Sequence, residues 1–258
     1  ASIYSHCITG SDQVWNPNIL GGFDPAYFLD FPESGFKKIA YAVSIAEDIE
    51  DIYNKQFSNS ISKFDCIAVR EESLQKVVSN YAGFQVDVVL DPTFLIDPSI
   101  WNAVGKPPKI CNYLFVYDMW LDKSVVDIVN FVSSTLNLGV VCMSKKNKYR
   151  NVIYSYAYDG PDAFLGLMKN ADFVVTSSFH GTTFSVIFRK NFITISHPTK
   201  GSRMNDLLNK LKLGRRIIKS ADELSGMDLN LPVDYAEPER ILNAEIGKSI
   251  DFLKNALQ

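Results

Sequence analysis

The stretch DFVVTSSFHGTTFSVIFRKNFITI, Asp172 to Ile195, reads as a strand, a helix and a second strand in direct succession. DFVVT is a short apolar, β-branched run of the kind that forms a buried strand. HGTTFSVIFRK sets Phe184, Ile187 and Phe188 on one helical face, and FITI resumes the β pattern. Ser177 and Ser178 stand where an N-cap belongs. A helix start offers unpaired backbone N–H groups and a partial positive charge, so an anion can sit where His180 projects. Gly181 would let that anion approach the backbone. The junction is therefore expected to support acid–base chemistry on a phosphate-bearing substrate. The alternative is a hydrogen-bonded junction histidine with no chemical role.

Outward from this stretch the same alternation recurs. IAYAVSIA (39–46), CIAVR (66–70) and VDVVL (86–90) are strand candidates, separated by helical patterns over 49–64 and 73–81. A strand near 2–9 precedes them and runs into the loop GSDQVWNP (10–17). A second series holds YLFVY (113–117), a helix over 122–136, VVCMS (140–144), a helix over 161–170, and then the strand–helix–strand stretch itself. Alternating strands and helices imply parallel sheets with helical crossovers, so the expected class is α/β with two Rossmann-like domains. The domain reading is 1–98 for the first, 99–110 for a Pro-rich linker and 111–258 for the second. The apolar periodicity of 237–257 predicts a final helix able to pack back on the N-terminal domain.

The chain's 258 residues exceed the usual size of one core, which agrees with two domains. With 26 Lys and Arg against 29 Asp and Glu there is no basic field, which argues against nucleic acid as a partner. Cys7, Cys66, Cys111 and Cys142 lie tens of residues apart in or beside strand-like segments. They read as buried thiols of a reducing, cytoplasmic compartment, not as a disulfide framework or a metal site. No apolar run is long enough for a transmembrane segment, and no signal-peptide pattern opens the chain.

Ligands of open α/β sheets bind beyond the carboxyl ends of the strands, so loops after strands carry the functional expectation. If those loops face one cleft, it gathers His180, Arg70, Asp12, Gln13, Asp91 and the serines Ser11, Ser44, Ser177 and Ser178, with Arg203 as an additional cation. Lys200 and Arg203 flank Gly201 in a basic loop that can hold phosphate, the alternative being a solvated charged loop. Arg70 suits a carboxylate or phosphate through its guanidinium fork, the alternative being an ion pair with Glu71, Glu72 or Asp91. Asp12 is a candidate base for a hydroxyl, the alternative being a cap. Asp91, before Pro92, reads as a turn aspartate. Trp15 reads as core, with a sugar-stacking role as the alternative. The Tyr-rich stretch 149–158 reads as part of an acceptor groove or as a flap. No dinucleotide fingerprint is present.

In order, GSDQVWNP, IAYAVSIAED, IAVREES, VLDPTFLID, YLFVYDM, VVTSSFHGTTFSVIFRKNFI and SRMNDLLNKLKLGRRI resemble the polysaccharide pyruvyl transferase family over nearly the whole chain. The resemblance implies a GT-B-like fold. It also implies transfer of the enolpyruvyl-derived group of phosphoenolpyruvate to a sugar of a bacterial surface glycan such as capsule or exopolysaccharide, with formation of a pyruvate ketal. By this resemblance the family histidine matches His180, and the arginine of the strand-end Arg-Glu motif matches Arg70, where it would hold the donor anion. The partners so implied are phosphoenolpyruvate and a glycan or lipid-linked oligosaccharide. The latter implies peripheral association with the inner membrane face. No cofactor or metal is expected. Two departures stand out. The family pattern Ser-x-Arg-Leu-His has Ser178 in place of its arginine here, so Arg203 or Lys200 would have to substitute. Family members also begin with further N-terminal sheet, so the first domain is expected to be truncated. A nucleotide-sugar glycosyltransferase and a non-catalytic glycan-binding relative are the rival readings.

Overall fold

The computed structural model describes residues 4–31, 35–45, 54–119, 123–143, 148–156, 159–196 and 201–258. It divides into two units: Ala1–Leu95 with Thr199–Leu207 and Arg240–Gln258, and Ile96–Pro198 with Leu208–Glu239.

The first unit is built on a four-stranded parallel sheet in the order β1 (His6–Thr9), β2 (Lys37–Val43), β3 (Cys66–Val69) and β4 (Asp87–Val88). Its crossovers include α2 (Asn54–Ile61) and α3 (Glu72–Ala82), while α1 (Pro17–Leu20) is a single turn in the loop after β1. Strand β2 is buried from Ile39 to Val43, because a parallel sheet covered on both faces needs continuous apolar runs. Phe57, Ile61, Leu74 and Val78 bring the helices onto that core. Trp15 belongs to it too, 1% exposed and stacked on Phe28 at 5.1 Å, as its core reading requires. On the other face Tyr41 meets Phe252 of the last helix, α9 (Ala236–Ala256), whose Ser249 hydroxyl accepts from the Leu90 N–H.

The second unit has a six-stranded parallel sheet in the order β10–β9–β8–β5–β6–β7. The strands are β5 (Tyr113–Tyr117), β6 (Gly139–Cys142), β7 (Val152–Ser155), β8 (Phe173–Thr176), β9 (Phe192–Ile195) and β10 (Ile217–Ile218). The chain builds outward from β5 through β6 to β7, then returns to the other side of β5 and builds outward again. The order reverses between β5 and β8, and such a switch point opens a crevice beyond the carboxyl ends of those two strands. Helix α5 (Lys123–Leu136) buries Val125, Ile128, Val129 and Val132, a spacing that keeps one face on the sheet. Helix α6 (Pro161–Asn170) and helix α7 (Phe179–Ile187) complete the layers near β8.

Several expectations change. The Pro-rich segment read as a linker carries α4 (Pro98–Val104), because Asp97 caps the Ser99 N–H and Pro98 occupies the first turn, where proline starts a helix instead of breaking one. Arg203, read as part of a loop, lies in α8 (Ser202–Lys210). The Tyr-rich stretch contains edge strand β7. Helix α7 has no single apolar face: Phe179 and every residue from Gly181 to Val186 are buried, and the hydroxyls of Thr182, Thr183 and Ser185 bond back to carbonyls one turn earlier. All four cysteines are free, but only Cys142 is buried and Cys111 is exposed, so the reading of four buried thiols fails there. Among the described residues no helix is long and apolar enough to cross a membrane.

Candidate functional site

In the first unit the polar groups gather beyond the carboxyl ends of β1, β2, β3 and β4. Gly10 ends β1 at φ 108°, and a Cβ there would lie 2.1 Å from the Tyr41 carbonyl oxygen, so the loop crosses β2 at a distance only glycine permits. Asp12 follows at φ 72°, with its carbonyl accepting from the N–H groups of Val14 at 2.8 Å and Ser44 at 3.0 Å. This backbone clasp presents the Asp12 carboxylate to Arg70, whose Nη2 donates to Oδ1 at 2.9 Å. Arg70 Nη1 donates to Asp91 Oδ2 at 2.7 Å. The other Asp91 oxygen accepts from the Thr93 N–H and hydroxyl, the turn chemistry read from Asp-Pro-Thr. One carboxylate therefore closes a turn and anchors the arginine.

Arg203 reaches the same cluster from α8, with Nη1 3.6 Å from Asp12 Oδ1 and Nε 3.9 Å from Glu71 Oε1. The Gln13 amide lies between two donors, Asn16 Nδ2 at 2.9 Å and the Arg203 guanidinium at 3.2 and 3.3 Å. Turning its oxygen to Arg203 gives two charge-assisted bonds, the stronger arrangement. Glu71 is 1% exposed and accepts a very short bond from the Ser44 hydroxyl, while its Oε2 is buried with no hydrogen-bond partner among the described residues. Burial raises the Glu71 pKa, against the pull of Arg70, the Ser44 bond and Arg203. For Arg70, burial opposes the charge, but Glu71, Asp91 and Asp12 together outweigh it and raise the pKa. For Arg203, burial and then the repulsion of Arg70 lower it.

This geometry alters the expectation for Arg70. Its side chain is 3% exposed and both terminal nitrogens sit on carboxylates, so it is a hub tying two loops together and not an open anion cradle. Asp12, with a side chain 51% exposed, is the group of that hub turned to solvent. Ser11 beside it is partly buried. Lys200 lies outside the described residues.

The second unit places its polar groups at the switch point. Strand register pairs Tyr117 with Thr176, so the residues that follow them, Asp118 and Ser177, meet beyond the sheet. The Ser177 hydroxyl donates to Asp118 Oδ1 at 2.7 Å and accepts from the Met119 N–H at 2.8 Å. Tyr149 Oη donates to the other Asp118 oxygen at 2.8 Å. Ser178, not Ser177, is the N-cap: its hydroxyl accepts from the Gly181 N–H at 3.4 Å. His180 follows in the first turn of α7, partly buried, with its ring edge-to-face against Phe179. Gly181 is buried for a different reason than anion access. A Cβ there would fall 2.1 Å from Thr176 Oγ1, so glycine lets α7 pack against the end of β8.

The structure thus brings Asp12, Gln13, Arg70 and Arg203 together in one unit and Ser177, Ser178, His180 and Gly181 together in the other. Sequence reading missed Asp118, and it singled out Tyr149 only as one member of the Tyr-rich stretch. Asp118 could have been found, since it follows the strand from which the second series starts, the natural flank of a switch point. Nothing in that stretch pointed to Asp118 as the partner of Tyr149. Glu71 and Ser44 were visible in their loops, but only the fold makes them a buried pair. Among the described residues no three His, Cys, Asp or Glu side chains group as a metal site.

A match to the polysaccharide pyruvyl transferase family model spans residues 3–198, which includes Asp12, Arg70 and His180. The chain belongs to this family. It is accordingly a transferase of the polysaccharide-modifying kind. Solved structures agree on the fold. The trehalose-6-phosphate synthase OtsA is 10% identical, with 87% of this chain and 68% of that one covered at a TM-score of 0.54. An alpha,alpha-trehalose-phosphate synthase from Burkholderia xenovorans is 9% identical, covering 86% and 68% at 0.56. The wall teichoic acid polymerase TagF is 11% identical, covering 98% and 73% at 0.51. At these identities the likeness is one of fold, the α/β GT-B type with two parallel sheets. No curated protein matches the chain.

Proposed function

We propose that this chain is a pyruvyltransferase that uses phosphoenolpyruvate as donor and forms a pyruvate ketal on a sugar of a polysaccharide precursor, releasing inorganic phosphate. The observation that carries the reading is the family match over 3–198; His180 falls within that span, in the first turn of a helix beside the switch point of a parallel sheet.

In ketal formation two acceptor hydroxyl oxygens bond to the central carbon and lose their protons. One proton is matched by the proton that turns the donor's methylene carbon into a methyl group, and the other leaves with the phosphate as its C–O bond to the central carbon breaks. His180 is the group suited to carry the proton to the methylene carbon. Its place in the first turn of α7 offers the helix's partial positive charge to the donor's anionic groups. Asp118 and Tyr149 hold Ser177 in place beside it, which makes them positioning residues. In the first unit the exposed carboxylate of Asp12 is the candidate base for an acceptor hydroxyl, with Arg70 fixing its orientation. A lipid-linked acceptor would bring the protein to a membrane face as a peripheral enzyme.

The test is phosphate release from phosphoenolpyruvate with galactose- or mannose-containing acceptors, comparing the parent with His180→Ala and Asp12→Asn. A positioned proton carrier contributes about 10²- to 10⁴-fold, so His180→Ala should lose that much turnover while its unfolding midpoint stays put. Equal release from all three removes the assignment. Turnover of a nucleotide sugar, with none of phosphoenolpyruvate, would establish a glycosyltransferase instead.

A further inference from the structure

Glu71 reaches Asp12 by two routes, each through a third residue. The Ser44 hydroxyl donates to Glu71 Oε1, and the Ser44 N–H donates to the Asp12 carbonyl at 3.0 Å, so the buried acid anchors the residue that clasps the Asp12 backbone. The second route is Arg203. Its Nε is 3.9 Å from Glu71 Oε1 and its Nη1 is 3.6 Å from Asp12 Oδ1, so one guanidinium faces both carboxylates and sits at hydrogen-bond distance from neither of these oxygens.

The two carboxylates are solvated very differently. The Glu71 side chain is 2% exposed, whereas that of Asp12 is 51% exposed. A carboxylate withdrawn from water draws more strongly on a nearby cation than one that water already serves. The remaining charges around Glu71 are committed elsewhere. Arg70, its neighbour at the end of β3, has its terminal nitrogens on Asp91 and Asp12, and Glu72 at the start of α3 is exposed. Among the described residues two guanidinium groups thus face three carboxylates, Asp12, Asp91 and Glu71, an excess of one negative charge when all are ionised. Uptake of a proton by the most poorly solvated member relieves that excess, and burial moves Glu71 in this direction.

We infer that Glu71 is a positioning residue for Asp12 and acts through Arg203: when charged it draws the guanidinium to itself and leaves Asp12 the better proton acceptor, and when protonated it yields the guanidinium to Asp12. This rests on the reading of Asp12 as the base for an acceptor hydroxyl. The proton on Glu71 never meets the substrate, because the side chain is closed off beneath the loop that presents Asp12. Its effect travels as the position and charge of Arg203, over distances at which a partly buried ion pair is still strong.

The experiment follows the full chain by NMR, reading the side-chain carboxyl carbons of Glu71 and Asp12 and the Arg203 Nε–H, together with phosphate release from phosphoenolpyruvate, between about pH 4 and about pH 9. In the parent, Asp12 and Arg203 should move with the midpoint of Glu71, and turnover should rise about three- to tenfold through that same midpoint. Glu71→Gln keeps an acceptor for the Ser44 hydroxyl but fixes the neutral form. It should abolish the shared step, match the parent's turnover below the midpoint and fall about three- to tenfold short above it, with KM for phosphoenolpyruvate unchanged. Arg203→Gln should raise the Glu71 midpoint, since a cation that lowers it is gone, and should shrink the step at Asp12 at least about twofold. Lack of a common midpoint in the parent overturns the inference, as does a step at Asp12 that survives in Glu71→Gln. A turnover loss in Glu71→Gln that is uniform across pH also overturns it, because an acid that only supports the fold would act that way. The NMR readouts need no substrate. A protein with the common midpoint and no turnover of phosphoenolpyruvate would break the pyruvyl-transfer reading alone, and one with turnover and no common midpoint would break this inference alone.

Discussion

Both units hold polar groups beyond the ends of a buried parallel sheet, but they stabilise them by opposite means. The first uses formal charge: Arg70 between Asp91 and Asp12, with Arg203 and the buried Glu71 alongside. The second uses mostly hydroxyls and a helix cap: Tyr149 and Ser177 on the single carboxylate Asp118, and Ser178 on the Gly181 N–H. A buried charge network is strongly interdependent, since removing one member strands another in a low dielectric. A neutral network loses about one hydrogen bond per substitution. The first cluster should therefore fail as a whole and the second piece by piece.

The sharpest way to break this contrast is Arg70→Ala. It leaves Asp91 buried and uncompensated and should cost about 3–5 kcal/mol in urea unfolding; a loss under about 1 kcal/mol would show that the ion pairs are not what holds these loops. Gly181→Ala comes next. The new methyl meets Thr176 Oγ1, and overpacking of this kind costs typically about 1–3 kcal/mol, so its melting temperature should fall more than that of any hydroxyl deletion in the second unit. Ser178→Ala removes only the cap, and with a 3.4 Å bond it should cost about 0.5–1 kcal/mol by denaturant midpoint.

The smallest effect concerns pH and sharpens the picture of the first cluster. Because burial raises the Glu71 pKa in the folded state, the native form binds more protons there than the unfolded chain, whose carboxylate titrates near about 4.3. That contribution is complete below the unfolded value and is lost as pH rises through the folded one. Unfolding midpoints of the parent should decline relative to those of Glu71→Gln as pH rises above the unfolded value. Parallel curves would mean that Arg70 and Arg203 keep Glu71 ionised throughout.

Legibility in the sequence followed the range of the interaction. YLFVY over 113–117 and the helix over 161–170 appear with the bounds their patterns imply, because buried parallel strands and capped helices are local signals. Segment 98–104 misled because Pro and Asp are read equally well as loop breakers and as a helix start, and only the packing that follows distinguishes them. At the candidate site, the junction that presents His180 was readable, as was the turn made by Asp91. The meaning of Gly181 was not, since it depends on Thr176 across a strand-to-helix bend. Arg70 could not be assigned between anion holder and ion pair, because its partners lie 58 and 21 positions away in the chain.

By itself the sequence determined the α/β class, the two parallel series and the helix that carries His180, all of which rest on apolar periodicity and capping within a few residues of one another. Tertiary structure decided which charges meet. It closed Arg70 between two carboxylates and placed Asp118 beside Ser177 through the register of β5 on β8. Electrostatic partnership depends on distance and burial in three dimensions, and neither is encoded in the spacing of residues along a chain.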